Sequence, residues 1–261
     1  MTARSRPAHY DPGDFARLRP VEDGHFWFVS RNNILGAVLA TLAGEVPRAG
    51  AVLEIGCGTG NTLRVLRDML PDSTLVGMDA LHAGLLHARD RTPASLVEGR
   101  LEEMPFRKQF VLVGMFDVLE HIEDEAAALQ QVYTLLRPGG LLFMTVPAYA
   151  FLHSAEDVAA GHFRRYTLRS LTRAVIGSGF KLEYATYLFA PLPPFVLLLR
   201  TLPSLLGLRR PEDEDLRASE HVREGFSARA INRLLDMESQ RIRAGGTIPF
   251  GTSCLAVCIK E

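Results

Sequence analysis

The sequence predicts a doubly wound α/β domain, a mostly parallel sheet with helices on both faces. Three observations carry that prediction. Five short apolar runs lack the polar alternation of a half-solvated strand, so each is expected to be buried on both sides. Segments of helical apolar periodicity separate these runs through about residue 147. A glycine-rich turn lies where the first run passes into the first such helix.

Taken in order, residues 1–50 hold the aromatic cluster Phe26-Trp27-Phe28 and a predicted helix over 31–42, expected to cap the first strand. The first run, 51–56, leads into a helix over 61–70 that gathers Leu63, Val65, Leu66, Met69 and Leu70 on one side. Runs at 74–79 and 95–99 each follow a proline, and a longer one covers 110–118. A helix over 126–136 and the turn Arg137-Pro138-Gly139-Gly140 lead to the fifth run at 141–146. Beyond it the pattern predicts a helix over 168–176 and two further strands, 181–188 and 254–260. The interval between those strands is too long for a hairpin and reads as an insertion. The expected organisation is therefore a cap (1–50), a sheet domain (51–190 with 251–261) and an apolar, helical insertion over 191–250.

The apolar stretch 188–208 approaches the length of a membrane span, but four prolines and Arg200 argue against a regular spanning helix. It either buries its leucines against the domain as a substrate-side cap, the preferred reading, or rests on a membrane surface or a lipophilic ligand. Arg200, Arg209 and Arg210 suit lipid headgroups, whereas Glu212-Asp213-Glu214-Asp215 opposes them. A helix over 228–242 is expected to pack beside it.

Of the 261 residues, 47% are hydrophobic, which excludes disorder for the bulk of the chain. With 29 basic against 30 acidic side chains there is no basic excess, so nucleic acid is not an expected partner. Cys57, Cys254 and Cys258 form no disulfide framework, and residues 1–10 hold no apolar segment of a secretory signal. A cytoplasmic protein is expected, with peripheral membrane contact through 188–210 as the one route to a surface.

The glycine turn reads Leu53-Glu54-Ile55-Gly56-Cys57-Gly58-Thr59-Gly60, and Asp79 ends the next run. Glycines let a ligand approach the backbone, and an acid at the end of the second strand can grip ribose hydroxyls. Dinucleotide sites use G-x-G-x-x-G and present a helix N-terminus to a pyrophosphate. Here the spacing is G-x-G-x-G, and Glu54 would oppose a pyrophosphate but favour a ligand bearing ammonium and sulfonium charges.

On these residues the chain resembles the class I S-adenosylmethionine-dependent methyltransferases. Residues 53–60 are similar to their first motif, and Gly77-Met78-Asp79-Ala80 to the acid after the second strand. Residues 116–122 (FDVLEHI) resemble the motif ending the fourth strand, and 135–147 (LLRPGGLLFMTVP) the turn and fifth strand. The resemblance covers roughly 51–190. It implies a Rossmann-like seven-stranded sheet, with 254–260 as its antiparallel strand, and S-adenosyl-L-methionine as cofactor. It implies further that Gly56, Cys57, Gly58 and Gly60 line the cofactor and that Glu54 lies near its amino group. Asp79, followed by Ala80, would bind the ribose, and Asp117 would flank the methionine moiety. Where the family often carries an acid for the adenine amine, this chain has Arg100, which cannot accept that hydrogen bond. The contact then falls to the backbone of Leu101 and to stacking.

Acceptor chemistry on oxygen or nitrogen calls for a base, and histidine has the right intrinsic pKa. His121 follows Glu120 in the fourth-strand motif; two adjacent candidate ligands do not make a metal site, so no metal is expected. His162 opens the segment His162-Phe163-Arg164-Arg165-Tyr166, which resembles an H-x-R-R-Y stretch of a subset of the family, preceded by Glu156-Asp157. It offers a base (His162), an anion clamp (Arg164 or Arg165) and an aromatic wall (Tyr166). The alternative is that Arg165 and Tyr166 cap the next helix. Trp27 is expected to pack, with Phe28 or Arg31 bordering the site. The function expected is methylation, by a histidine base, of an oxygen on a small or lipophilic acceptor such as a quinone precursor or glycan. The alternative is a non-catalytic cofactor-binding or membrane-associated accessory protein. The sequence leaves the acceptor atom and the oligomeric state open.

Overall fold

The computed structural model describes residues 12–42, 49–107, 109–209 and 226–261. Its strands are β1 (Ala51–Ile55), β2 (Thr74–Asp79), β3 (Ser95–Glu98), β4 (Phe110–Phe116), β5 (Leu136–Pro147), β6 (Phe180–Leu188) and β7 (Ser253–Lys260). They form one sheet in the order β3-β2-β1-β4-β5-β7-β6. The first five are parallel, and β7 runs antiparallel between β5 and β6. All seven residues of β4 are buried, as an apolar run covered on both faces requires. Phe110, Leu112, Phe143, Leu63, Leu66, Leu129 and Val132 are inaccessible to solvent and join sheet to helices in one core.

The flanking helices are α1 (Pro12–Leu18), α2 (Phe26–Thr41), α3 (Asn61–Met69), α4 (His82–Arg89), α5 (Glu125–Leu135), α6 (Ala155–Ala160) and α7 (Leu168–Gly177). Beyond β6 come α8 (Pro193–Val196), a π turn (Leu197–Thr201), α9 (Leu202–Leu205) and α10 (Phe226–Arg243). α2 begins five residues before the helix predicted over 31–42. His25 accounts for this, since its Nδ1 accepts the backbone N–H of Trp27 at 3.3 Å and starts the helix there. In α4, Gly84 lies against the glycine turn, and a Cβ there would stand 3.0 Å from the carbonyl oxygen of Gly58. The Arg137–Gly140 turn is absorbed into β5 as an irregularity, with Phe110 opposite Leu136 and Leu112 opposite Leu141.

The insertion departs from expectation in two ways. The leucines of 188–208 do not all bury: Leu198, Leu199, Leu205, Leu206 and Leu208 are 60–75% exposed. Leu188, Phe189 and Leu192 are buried at the start of the segment, and farther on Thr201 donates to the carbonyl of Leu152 (3.1 Å) and Ser204 accepts the N–H of Ala155 (2.9 Å). Residues 193–205 wind continuously as helix with leucines around the circumference, so only one face can meet the domain. Second, α10 packs chiefly against α2, with Leu235 and Ile242 buried, and meets that segment at its first residues. Its Glu238 accepts the N–H groups of Phe189 (2.6 Å) and Ala190 (2.9 Å), fixing the chain as it leaves β6. Arg210 and the acidic run 212–215 lie outside the described residues. Among those described, no helix is long and apolar enough to cross a membrane.

Candidate active site

The strand order reverses between β1 and β4, and the loops leaving their carboxyl ends diverge to form the crevice where open α/β sheets bind ligands. The glycine turn occupies one wall. Gly56, Gly58 and Gly60 all have left-handed backbones (φ 71°, 49° and 75°). At Gly56 a Cβ would stand 2.5 Å from Val118 Cγ2, so the turn and the loop after β4 touch only because no side chain intervenes. The N–H groups of Gly56 and Cys57 both reach the carbonyl of Met78, tying the turn to β2. Burial raises the Cys57 thiol well above its ordinary pKa, which leaves it inert.

Behind the turn sits a buried carboxylate. Glu54 is 1% exposed, and its Oε2 has no hydrogen-bond partner. Burial pushes its pKa up to about 8, against the nearby Arg31 guanidinium and the hydrogen bond from Thr62. Arg31, on α2, donates to Thr62 Oγ1 (3.2 Å) and to Asp117 Oδ2 (3.1 Å) and lies over the rings of Trp27 and Phe28. Asp117 itself holds a left-handed backbone (φ 58°) directly after β4. Arg31 therefore joins the cap, α3 and the end of β4 around Glu54.

Asp79 accepts the N–H of Gly58 through Oδ2 (2.8 Å) and that of Leu81 through Oδ1 (2.9 Å). Burial raises its pKa against these donors, and each oxygen keeps a lone pair for a further hydrogen bond. Ala80 follows it at the mouth. Leu101 is buried at the start of a 3-10 turn (Leu101–Glu103), while Arg100 is half exposed and turned to Glu102 at 3.8 Å.

A second cluster lies at the ends of β4 and β5. Glu120 is 1% exposed, and neither carboxylate oxygen has a hydrogen-bond partner; burial, with Asp117 nearby, drives its pKa well above the usual range. The rings of His121 and His162 meet edge to face with centroids 4.7 Å apart. Burial and the neighbouring His162 lower the His121 pKa to about 4, against the opposing pull of the Ala160 backbone. His162 Nδ1 is 2.7 Å from Asp157 Oδ1. Burial alone would raise the Asp157 pKa, but the bond from His162 and the Arg165 fork (2.8 and 2.9 Å) hold it well below the carboxylate range.

The structure thus brings His121 and His162 together and commits the rest of the His162–Tyr166 segment to bracing. Both hydrogen-bonding edges of Arg165 go to Asp157 and the carbonyl of Ala148, and Arg164 pairs with Glu125 at 3.1 Å. Tyr166 is buried and donates its hydroxyl to Glu125 Oε2 at 2.7 Å; burial and that bond raise its pKa. Neither arginine is free to clamp an anion.

Residues 27–185 match the family model described as a methyltransferase domain. The chain belongs to that family. A probable S-adenosylmethionine-dependent methyltransferase of Mycolicibacterium smegmatis is 28% identical over 61% of this chain and 61% of its own length. A malonyl-[acyl-carrier protein] O-methyltransferase of Enterobacter lignolyticus is 28% identical over 71% of each chain. An S-adenosylmethionine-dependent methyltransferase from Mesorhizobium loti has the same fold, with a TM-score of 0.54 at 18% identity, covering 92% of this chain and all of the other. The chain spans about three fifths or less of the first curated relatives it matches.

As a class I methyltransferase domain with a Rossmann-like sheet, the chain has S-adenosyl-L-methionine as its family's cofactor. The residues present fit a ligand of that charge: a buried carboxylate with a spare oxygen stands behind a turn whose alternate residues are left-handed glycines. Sequence reasoning missed Glu22 and Arg91. Arg91 pairs with Glu22 at 2.5 Å, and both bond the Thr59 hydroxyl, clamping the cap onto the glycine turn. No local motif marks either residue.

Glu54 also predicts a pH effect on stability. Its folded pKa of about 8 exceeds the ordinary carboxylate value of 4.5, so the folded state holds a proton the unfolded state releases between those values. Its stabilising share is complete below the lower value and is lost as pH rises to the upper one. Glu54→Gln should therefore melt higher than the parent at pH 8, by roughly 5 °C, with the gap closing toward pH 5. Melting curves across that range check it; a gap independent of pH refutes the assignment.

Proposed function

We propose that the chain transfers the methyl group of S-adenosyl-L-methionine to an oxygen of a small, lipophilic acceptor. The observation that carries the reading is the unpartnered, buried Glu54 oxygen behind the left-handed glycine turn. The bound cofactor supplies a sulfonium methyl group suited to in-line displacement. Glu54 holds the cofactor's ammonium, exchanging its proton for a full charge pair. Asp79 orients the ribose hydroxyls with its remaining lone pairs, while the N–H groups of Gly58 and Leu81 keep it rigid. Asp117, fixed by Arg31, borders the methionine moiety, and the backbone of Leu101 takes the adenine edge that Arg100 cannot serve. Gly56, Cys57, Gly60 and Ala80 line the same wall.

At the second cluster, His162 is the better-placed base. Asp157 fixes its Nδ1, which leaves Nε2 to take a proton from the acceptor, whereas burial keeps His121 a weak base. Tyr166 supports this cluster through Glu125 without meeting the acceptor. Relatives named as O-methyltransferases support an oxygen acceptor. The exposed leucines of 198–208 support a lipophilic acceptor held at a membrane surface, since their segment rests on α6, which carries Asp157.

Cofactor binding that ionises Glu54 at pH 7 should release close to one proton, with affinity rising up to about pH 8. Titration calorimetry in two buffers of different ionisation enthalpy measures the release, and Glu54→Gln should abolish it. Binding with no proton release would overturn the Glu54 assignment, and absence of binding the whole reading. His162→Ala should lower turnover about a hundredfold, within the usual range for losing an acid–base group, and change cofactor affinity little. Equal losses in both would return His162 to a structural role. In co-sedimentation with anionic vesicles, Leu205→Glu/Leu206→Glu should stay in the supernatant while the parent pellets; identical partitioning ends the membrane argument.

A further inference from the structure

We propose that Glu120, His121 and His162 form a binding site for a divalent first-row transition ion, with open positions that take an oxygen of the acceptor. Each side chain offers one ligand atom, and these atoms lie within 4.8 Å of one another. Two ligands trans across an ion at about 2.2 Å span about 4.4 Å, so the cluster closes with a shift of a few tenths of an ångström. Two imidazoles and a carboxylate with vacant positions suit such an ion.

Three further features distinguish the cluster from a chance grouping. Glu120 is 1% exposed and both its carboxylate oxygens lack hydrogen-bond partners, an arrangement costly to maintain unless a cation fills it. His162 is already oriented by an outer partner, as metal-bound imidazoles are: its Nδ1 goes to Asp157, which leaves Nε2 to coordinate. Asp157 is in turn fixed by Arg165 and by the N–H and hydroxyl of Ser154. Finally, the N–H of Phe163 donates to the carbonyl of Glu120 at 2.8 Å, stapling together the two loops that supply the ligands.

The identity of the completing ligand rests on the methyltransferase reading; the cation site does not. A cation held there lowers the pKa of a hydroxyl it binds. In the metal-loaded site His162 Nε2 would serve as a ligand and the proton of the bound hydroxyl would pass to solvent, so the base role of His162 belongs to the metal-free protein. Hydroxylated acceptors able to direct one oxygen into the cluster are the class it selects.

The test uses the full chain without a polyhistidine tag, stripped with a chelator and titrated with Co2+ by calorimetry and visible absorption. One equivalent should bind, with absorption bands of nitrogen–oxygen ligation. Glu120→Gln and His162→Asn, each checked by circular dichroism, should each weaken binding about tenfold or more. No stoichiometric binding by the parent, or parent-like affinity in either folded variant, overturns the site. A parallel titration with S-adenosyl-L-methionine separates the two readings. Cofactor binding without Co2+ binding overturns the cation site alone, and Co2+ binding without cofactor binding overturns the methyltransferase reading alone.

Discussion

The structure turns on a carboxylate that the fold keeps out of water. Removing an anion from solvent is costly unless a partner charge meets it, and Glu54 meets only part of its need. Its pKa near 8 expresses the shortfall as a retained proton. Arg31 stands close enough to temper the cost, but its two terminal nitrogens go to Asp117 and Thr62 and its buried Nε has no partner. A second cation is what the site lacks, and a ligand carrying one gains the difference. Affinity and instability here have the same physical source.

The rim of the crevice is held under backbone strain. Among the described residues, the three non-glycine residues with left-handed backbones, Asp117, Tyr149 and Phe189, follow the carboxyl ends of β4, β5 and β6. Such conformations cost about 1–3 kcal/mol each, and each is held by neighbours from elsewhere in the chain. Asp117 has Arg31 and the carbonyl of Thr145. Tyr149 donates to the carbonyl of Tyr166 and stacks on Tyr187. Phe189 has Glu238 and the face of Trp27. The cap and α10 thus act on the crevice through the strand ends they hold in place.

What the sequence made legible follows from the range of the interactions involved. The strands could be read because an apolar run buried on both faces needs no knowledge of its partners, as at β4. The glycine turn and Asp79 could be read because spacing alone brings them together. Arg31 was harder, lying three residues past an aromatic run and 86 residues from Asp117. Glu22 and Arg91, 69 residues apart, carry no local signal at all. The leucines of 188–208 misled for a related reason: apolar content predicts burial only where the backbone can turn each side chain inward.

The chemistry at the second cluster shows the same dependence on distance. Glu120-His121 alone is a pair of neighbours at a strand end, and His162 alone is a histidine near a helix. Their meeting requires the loops after β4 and β5 to lie side by side, as the parallel pairing of those strands demands. The Phe163 to Glu120 backbone bond then fixes their separation. Asp157, five residues before His162 and inside α6, sets the ring's tautomer from behind. Once those constraints hold, two imidazole nitrogens and a carboxylate without partners converge on one small volume. Whether they share a proton or a cation, a group bound there lies between the loops after β4 and β5, three residues beyond Asp117 in the chain on one side.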